Sequence, residues 1–185
     1  MPRTSDFGPR TRLLVVGCGN SLAGDDSVGL EIVRRLRERY ELEGAQQPQS
    51  LPSDCACTFL QLADAGPGLL ELFPQAEAIL FIDAVESGAT PGTIHTVRLP
   101  SNNIIPRALG TVSTHGWSLK ETLGLAQALG RPVPRLWLVG IELQDVTPGA
   151  GRTPAVEAAL ENVIENFPWI LTRILQTDSE KGSGN

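Results

Sequence analysis

Two adjacent aspartates, Asp25 and Asp26, lie inside the run GCGNSLAGDDSVG at residues 17–29, directly after the apolar stretch of residues 13–16. The first glycines are spaced as in a dinucleotide-binding turn, but the chemistry is opposite. Such a turn needs G-x-G-x-x-G, with a pyrophosphate resting on the helix N-terminus. The sixth position here is Leu22, and two carboxylates would repel a phosphate. The positive end of the following helix instead receives negative charge from the protein itself. One aspartate is expected to cap that helix, its oxygen accepting an orphan N–H. The other is left to project over the sheet.

More chemistry-bearing residues stand where predicted strands end. Asp64 follows the segment CTFLQL, Asp83 closes ILFID, and His115 lies in STHGW just before a helix. Ligand sites in open parallel sheets form outside the carboxyl ends of the strands, so these residues should share one rim. Like charges gathered there call for a cation, a proton or an incoming substrate. Asp26, Asp83 and His115 would give a mixed oxygen and nitrogen set suited to a divalent transition metal, with nickel, zinc, manganese and iron all open. Asp64 has two readings, an Asx turn holding DAGPG or a general base. Cys18, between two glycines, reads as a small buried hydrophobe because no base is identifiable near it. His95 lies in an alternating strand and reads as a surface or core residue. Ser113 and His115 lack the G-x-S-x-G elbow of a serine hydrolase.

The elements that must position these residues follow from periodicity. Residues 12–16 read as a strand, and Val28, Ile32, Val33, Leu36 and Tyr40 recur at helical spacing, their charged neighbours forming a solvated face. A loop precedes a second strand at 57–62, and a short helix covers 69–73. The run ILFIDAV at 79–85 is continuously apolar, which predicts burial on both faces at the sheet centre. Residues 93–99 alternate, as an edge or antiparallel strand does. Helix 117–129, strand 135–143 and a long helix from Thr153 complete the chain; Pro154 suits the first helical turn, and Pro168 should kink the helix. The pattern predicts one α/β domain, doubly wound, over residues 12–175, with flexible flanks at 1–11 and 176–185.

Composition agrees. A chain of 185 residues, 41% hydrophobic and 19% charged, can bury the core of one globular domain. A net charge of -6 weighs against a nucleic-acid partner. Three cysteines with no C-x-x-C pair suggest neither a disulfide framework nor a zinc knuckle and fit the cytoplasm. No run approaches the roughly 20 apolar residues of a membrane span. A monomer is expected.

Six ordered motifs carry a family resemblance: GCGNSLAGDDSVG at 17–29, DAGPG at 64–68, IDAVESGATPGT at 82–93, STHGWSL at 113–119, VGIEL at 139–143 and GAGRTPAVEAAL at 149–160. With them the chain resembles the maturation endopeptidases of NiFe hydrogenases, which remove a C-terminal peptide from the large subunit after nickel insertion. The resemblance implies a mostly parallel five-stranded sheet with helices on both faces. It also implies nickel contacts at Asp26, Asp83 and His115, the residues that the rim placement selects. Departures from the family pattern are Ser27 for a glycine, Pro67 for a threonine, and Glu142-Leu143 for Gln-Pro. The expected reaction is cleavage of the large-subunit precursor, with substrate-borne nickel, or another divalent metal, docked on the three residues and Asp64 as general base. The alternatives are a noncatalytic nickel-binding or chaperone module and a nucleotide-binding oxidoreductase.

Overall fold

The computed structural model describes residues 11–41, 51–52, 55–99 and 119–176. Five strands, β1 (Thr11–Cys18), β2 (Cys55–Leu62), β3 (Ala78–Val85), β4 (Ile94–Leu99) and β5 (Arg135–Glu142), form one sheet in the order β2-β1-β3-β5-β4. All neighbours are parallel except β4, which runs antiparallel to β5 at the edge. The helices are α1 (Val28–Glu41), α2 (Pro67–Leu72), α3 (Leu119–Ala128), α4 (Pro154–Glu165) and α5 (Phe167–Gln176). The chain is therefore the doubly wound α/β domain that the periodicity predicts. β1 takes in Thr11 and α5 takes in Gln176, one residue beyond the expected domain bounds; the rest of both flanks lies outside the described residues.

The continuous apolar strands are buried on both faces because alternate side chains feed two cores. Leu13, Val15, Leu80, Ile82, Val139 and Ile141 join α1, α4 and α5 on one side. Leu14, Val16, Ile79, Phe81, Leu136 and Leu138 join α2 and α3 on the other. The edge strand β2 alternates buried and more exposed positions and begins at Cys55, two residues before its predicted start, because Cys55 pairs with Thr11. The long C-terminal helix is broken rather than kinked. Asn166 leaves helical geometry at φ -93° and ψ 6°, and Pro168 sits in the first turn of α5. Proline there lacks the N–H that an unbroken helix would need, and its ring would meet the carbonyl four residues earlier. The apolar stripe still runs through both pieces, from Val156 to Ile174.

Glycine sets how closely α1 approaches the sheet. A Cβ at Gly17 would collide with the Gly29 carbonyl and the Val33 side chain, and one at Gly29 would collide with the carbonyls of Ile82 and Cys18. The two glycines let helix and strands touch backbone to backbone, a packing role and not a phosphate-binding one. Gly17→Ala should destabilise the fold by at least the ~1–3 kcal/mol typical of overpacking. Gly124→Ala, in α3 with nothing within 4 Å of the added atom, should stabilise it by about 0.5–1 kcal/mol. Midpoints of urea unfolding at unchanged slope check both.

Candidate active-site rim

The strand order reverses between β1 and β3, and the crevice at their carboxyl ends is where a doubly wound sheet offers a site. β1 ends in Cys18, and Gly19 then takes φ 139°, where an added Cβ would meet the Asp26 carbonyl oxygen. The chain turns back through Asn20–Ala23, with the Asp26 N–H donating to the Ala23 carbonyl at 2.8 Å and the Asn20 N–H to the Asp26 carbonyl at 3.3 Å. A 3₁₀ turn over Gly24–Ser27 delivers both aspartates to the entrance of α1.

The two aspartates divide their tasks, although not as an N-cap and a free acid. Asp25 is fully buried and makes no cap bond to its own turn. Its Oδ2 accepts the N–H groups of Gln144 and Asp145, each at 2.9 Å, and its Oδ1 accepts the Thr153 N–H at 2.7 Å. The Thr153 hydroxyl lies 3.0–3.1 Å from both oxygens. Thr153 does precede α4 as expected, with Pro154 inside the first turn, but its side chain points to Asp25 instead of capping the helix. Ser27, the departure from glycine, donates to the Gly24 carbonyl at 2.7 Å and accepts from Arg152 at 2.9 Å. Arg152 also holds Glu157 on α4, and Arg35, counted in the sequence as part of a solvated face, reaches Glu157 and Glu161. None of these partners of Asp25 and Ser27 was marked as a site residue by the sequence. The one available signal was the motif GAGRTPAVEAAL, which contains Arg152 and Thr153.

Asp26 is buried and Asp83 half-buried. Burial, together with the charge of Asp26, pushes the Asp83 carboxyl well above its ordinary range, and the Ala84 N–H donated to its Oδ1 at 2.9 Å offsets only part of that. The Cys18 thiol is likewise pushed up, by burial first and then by Asp83, Asp64 and Asp26. Burial and the charge of these three carboxylates together keep the thiol protonated. That supports the reading of Cys18 as a packed residue. Asp64 is half-buried, and its Oδ1 accepts the Gly66 N–H at 2.8 Å, the Asx turn of DAGPG. The Thr122 hydroxyl bonds to the Ala65 carbonyl and so ties this turn to α3. Asp64 also lines a cleft of about 440 Å³ with Asn20, Leu30, Gln61 and Leu62. The cleft lies beside the Asp26–Asp83 pair and does not include it.

His115 and Ser113 lie outside the described residues. Among the described residues no three His, Cys, Asp or Glu side chains group closely enough to hold a metal ion. The charge of Asp26 acts on Asp83, and carboxylates are the oxygen donors that hard or borderline divalent cations take.

Glu142, another of the departures, carries a structural role that the sequence does not mark. It is buried at the end of β5, and its Oε1 accepts the N–H groups of Ser87, Gly88 and Ala89 at 2.8, 2.8 and 3.1 Å. Its Oε2 accepts the Ser87 hydroxyl at 2.7 Å and lies 3.2 Å from His95 Nε2. Burial works to raise this carboxyl, but the Ser87 hydroxyl, the two backbone donors and His95 together hold it below its ordinary value. His95 is thereby placed as a partner of Glu142, and the loop leaving β3 after Asp83 is held by a carboxylate.

A doubly wound α/β protein with a carboxylate-ringed rim at its topological switch point is the class that fold and site define. The family model described as HycI, hydrogenase maturation protease, matches residues 30–167, and the chain belongs to that family of hydrolases. The hydrogenase expression/formation protein HupD of Rhodobacter capsulatus is 32% identical over 161 residues, covering 83% of this chain and 68% of its own. The hydrogenase 2 maturation protease of Escherichia coli (strain K12) is 28% identical over 158 residues, covering 83% and 87%. The solved structure of the hydrogenase maturating endopeptidase HybD from E. coli superposes with a TM-score of 0.58 at 27% identity, over 90% of this chain and 93% of that one. No described helix is long and apolar enough to cross a membrane.

Two outcomes follow from the acid geometry. Asp25→Ala leaves three buried N–H donors without an acceptor and should cost about 3–5 kcal/mol by urea unfolding. Asp83→Asn should act in the opposite sense. The folded protein binds the Asp83 proton more tightly than the unfolded chain does, so the contribution is full below about pH 4 and is lost as pH rises through the raised folded-state value. The variant should therefore be more stable than the parent near neutral pH, with the gap closing at about pH 4, in paired denaturation curves.

Proposed function

We propose that this protein cleaves the C-terminal extension from the large-subunit precursor of a NiFe hydrogenase, and that it reads nickel carried by that substrate. Family membership supports the proteolysis. The nickel reading is supported by one observation, the Asp83 carboxyl pushed up by its burial and by the charge of Asp26: a cation arriving beside it relieves that repulsion. In this reading His115 adds the third donor. The positions left open on the metal are filled by the substrate's own ligands, so the protein is a dock for a metal already bound elsewhere.

Docking would align the scissile peptide along the rim. Asp64 is assigned as the general base: its Oδ1 is held by the Gly66 N–H, and its Oδ2 takes a proton from the attacking water as the new C–O bond forms. The same proton then passes to the departing amine as the C–N bond breaks. The substrate's nickel polarises the reacting groups as a Lewis acid. Burial first, and then the charge of the neighbouring carboxylates, disfavour the Cys18 thiolate, which argues against Cys18 as nucleophile.

Purified protein mixed with nickel-loaded precursor should release the C-terminal peptide, and nickel-free precursor should remain intact. Release from both forms alike rules out the nickel reading, and release from neither removes the peptidase assignment. His115→Ala and Asp26→Asn should impair cleavage of the loaded precursor without loss of folding. Asp64→Asn should lower turnover by about 10²–10⁴-fold, the typical worth of a general base.

A further inference from the structure

The sequence carries a second group of metal-ligating side chains, far from the rim. Cys55 and Cys57 are two residues apart on β2, so both side chains project from the same face of the strand. Their sulfurs are 3.6 Å apart. Cys55 is fully buried and Cys57 half-buried, and the intervening Ala56 and following Thr58, which project from the opposite face, are exposed. Both cysteines pack against the core that contains Phe59 and Phe167. Seven residues separate Cys55 from Leu62 at the rim end of β2, about 23 Å at the usual strand rise. The pair therefore stands at the opposite end of the sheet from Asp26 and Asp83.

Two thiols in van der Waals contact can do one of two things, and the spacing chooses between them. A disulfide needs its sulfurs at about 2.0 Å and its Cβ atoms within about 4.5 Å. Alternate residues of an extended strand are about 6.6 Å apart with parallel side chains, so closure would force β2 to contract and surrender its pairing with Thr11 and Leu13. A tetrahedral metal with bonds of about 2.3 Å to sulfur spans about 3.8 Å between two thiolates, within a few tenths of an ångström of the observed separation. The strand already holds one edge of such a tetrahedron.

We propose that Cys55 and Cys57 form a two-thiolate site for a thiophilic divalent cation of the zinc class, separate from the acidic rim. Binding converts two thiols to thiolates: the cation forms two metal–sulfur bonds and two protons pass to solvent. The resulting unit is neutral, which a half-buried location tolerates far better than an isolated charge. Among the described residues no third His, Cys, Asp or Glu joins the pair, so the two remaining positions fall to water that reaches the half-buried Cys57 or to a ligand from a second molecule.

The test uses the full chain, reduced, with Co(II) as the probe and Zn(II) as competitor. Co(II) should produce thiolate charge-transfer absorbance and the visible bands of a tetrahedral centre, and one equivalent of Zn(II) should erase them. Cys57→Ser, at the half-buried position, should weaken Co(II) binding by at least about 100-fold while the protein stays folded, since half of the protein ligands are lost. Asp83→Asn should leave the spectrum unchanged. Absence of thiolate absorbance from folded wild-type protein, its survival in Cys57→Ser, or its loss in Asp83→Asn would each overturn the assignment. So would quantitative disulfide formation under mild peroxide without unfolding, because the strand would then have the freedom that the spacing denies it. None of these outcomes bears on precursor cleavage.

Discussion

A buried carboxylate with no positive partner in contact among the described residues holds the site together. Asp25 has no solvent exposure, and its bonds go to three backbone N–H groups and one hydroxyl. Those donors belong to the segment between β5 and α4, so a single side chain ties the β1–α1 turn to the far end of the sequence. The Asp25 N–H returns the tie by donating to the Asp145 carbonyl at 2.9 Å. Buried charge is costly unless every lone pair is used, and here the cost is met by backbone dipoles that would otherwise be orphans themselves. Asp26 follows directly in the chain, so its place on the rim is inherited from Asp25. The Ser27–Arg152–Glu157 chain braces the same turn from the other side.

The layer architecture was legible because burial on both faces leaves a strong mark. Leu13–Val16 and Ile79–Ile82 have no polar residue to interrupt them, and only a central parallel strand tolerates that. The C-terminal stripe was equally plain, although the proline that marks a bend in sequence became a complete break at Asn166. Asp26, Asp64 and Asp83 are legible as residues that follow strand ends, and the charge of each acts on the buried Cys18 thiol. Partners that depend on long-range pairing were hidden. Nothing local to Thr153 shows that its hydroxyl will face Asp25, and nothing local to Glu142 shows that three consecutive N–H groups from a loop more than fifty residues earlier will close around it. C-x-C is not the spacing of a metal knuckle, but in a strand it is the even spacing that brings two thiols to one face.

The two buried acids that the sequence could not explain have one thing in common: each substitutes a fixed carboxylate for what another protein might leave to a ligand. Asp25 and Asp26 occupy the turn where a nucleotide-binding relative of the fold would receive phosphate, and Glu142 fills a cradle of three N–H groups that could itself hold an anion. Filling both with the protein's own charge makes the carboxyl end of the sheet rigid and negative. In the proposed reading the electrostatic preference is thereby inverted from phosphate to cation without any change in topology.

That inversion also bears on why the rim pair is left short of ligands. A complete set of four donors would bind any suitable metal from solution, and a resident ion would satisfy Asp26 and Asp83 permanently. Two repelling carboxylates hold free ions weakly, yet favour a cation that is delivered with further ligands attached and with other contacts to share the cost of docking. In the proposed reaction such a cation comes only on a loaded precursor. Discrimination then needs no conformational switch. It arises from the difference between an electrostatic debt that the substrate's metal settles and the same debt left standing when the metal is absent, and the rigid backbone set by Asp25 is what prevents the rim from relaxing and erasing that difference.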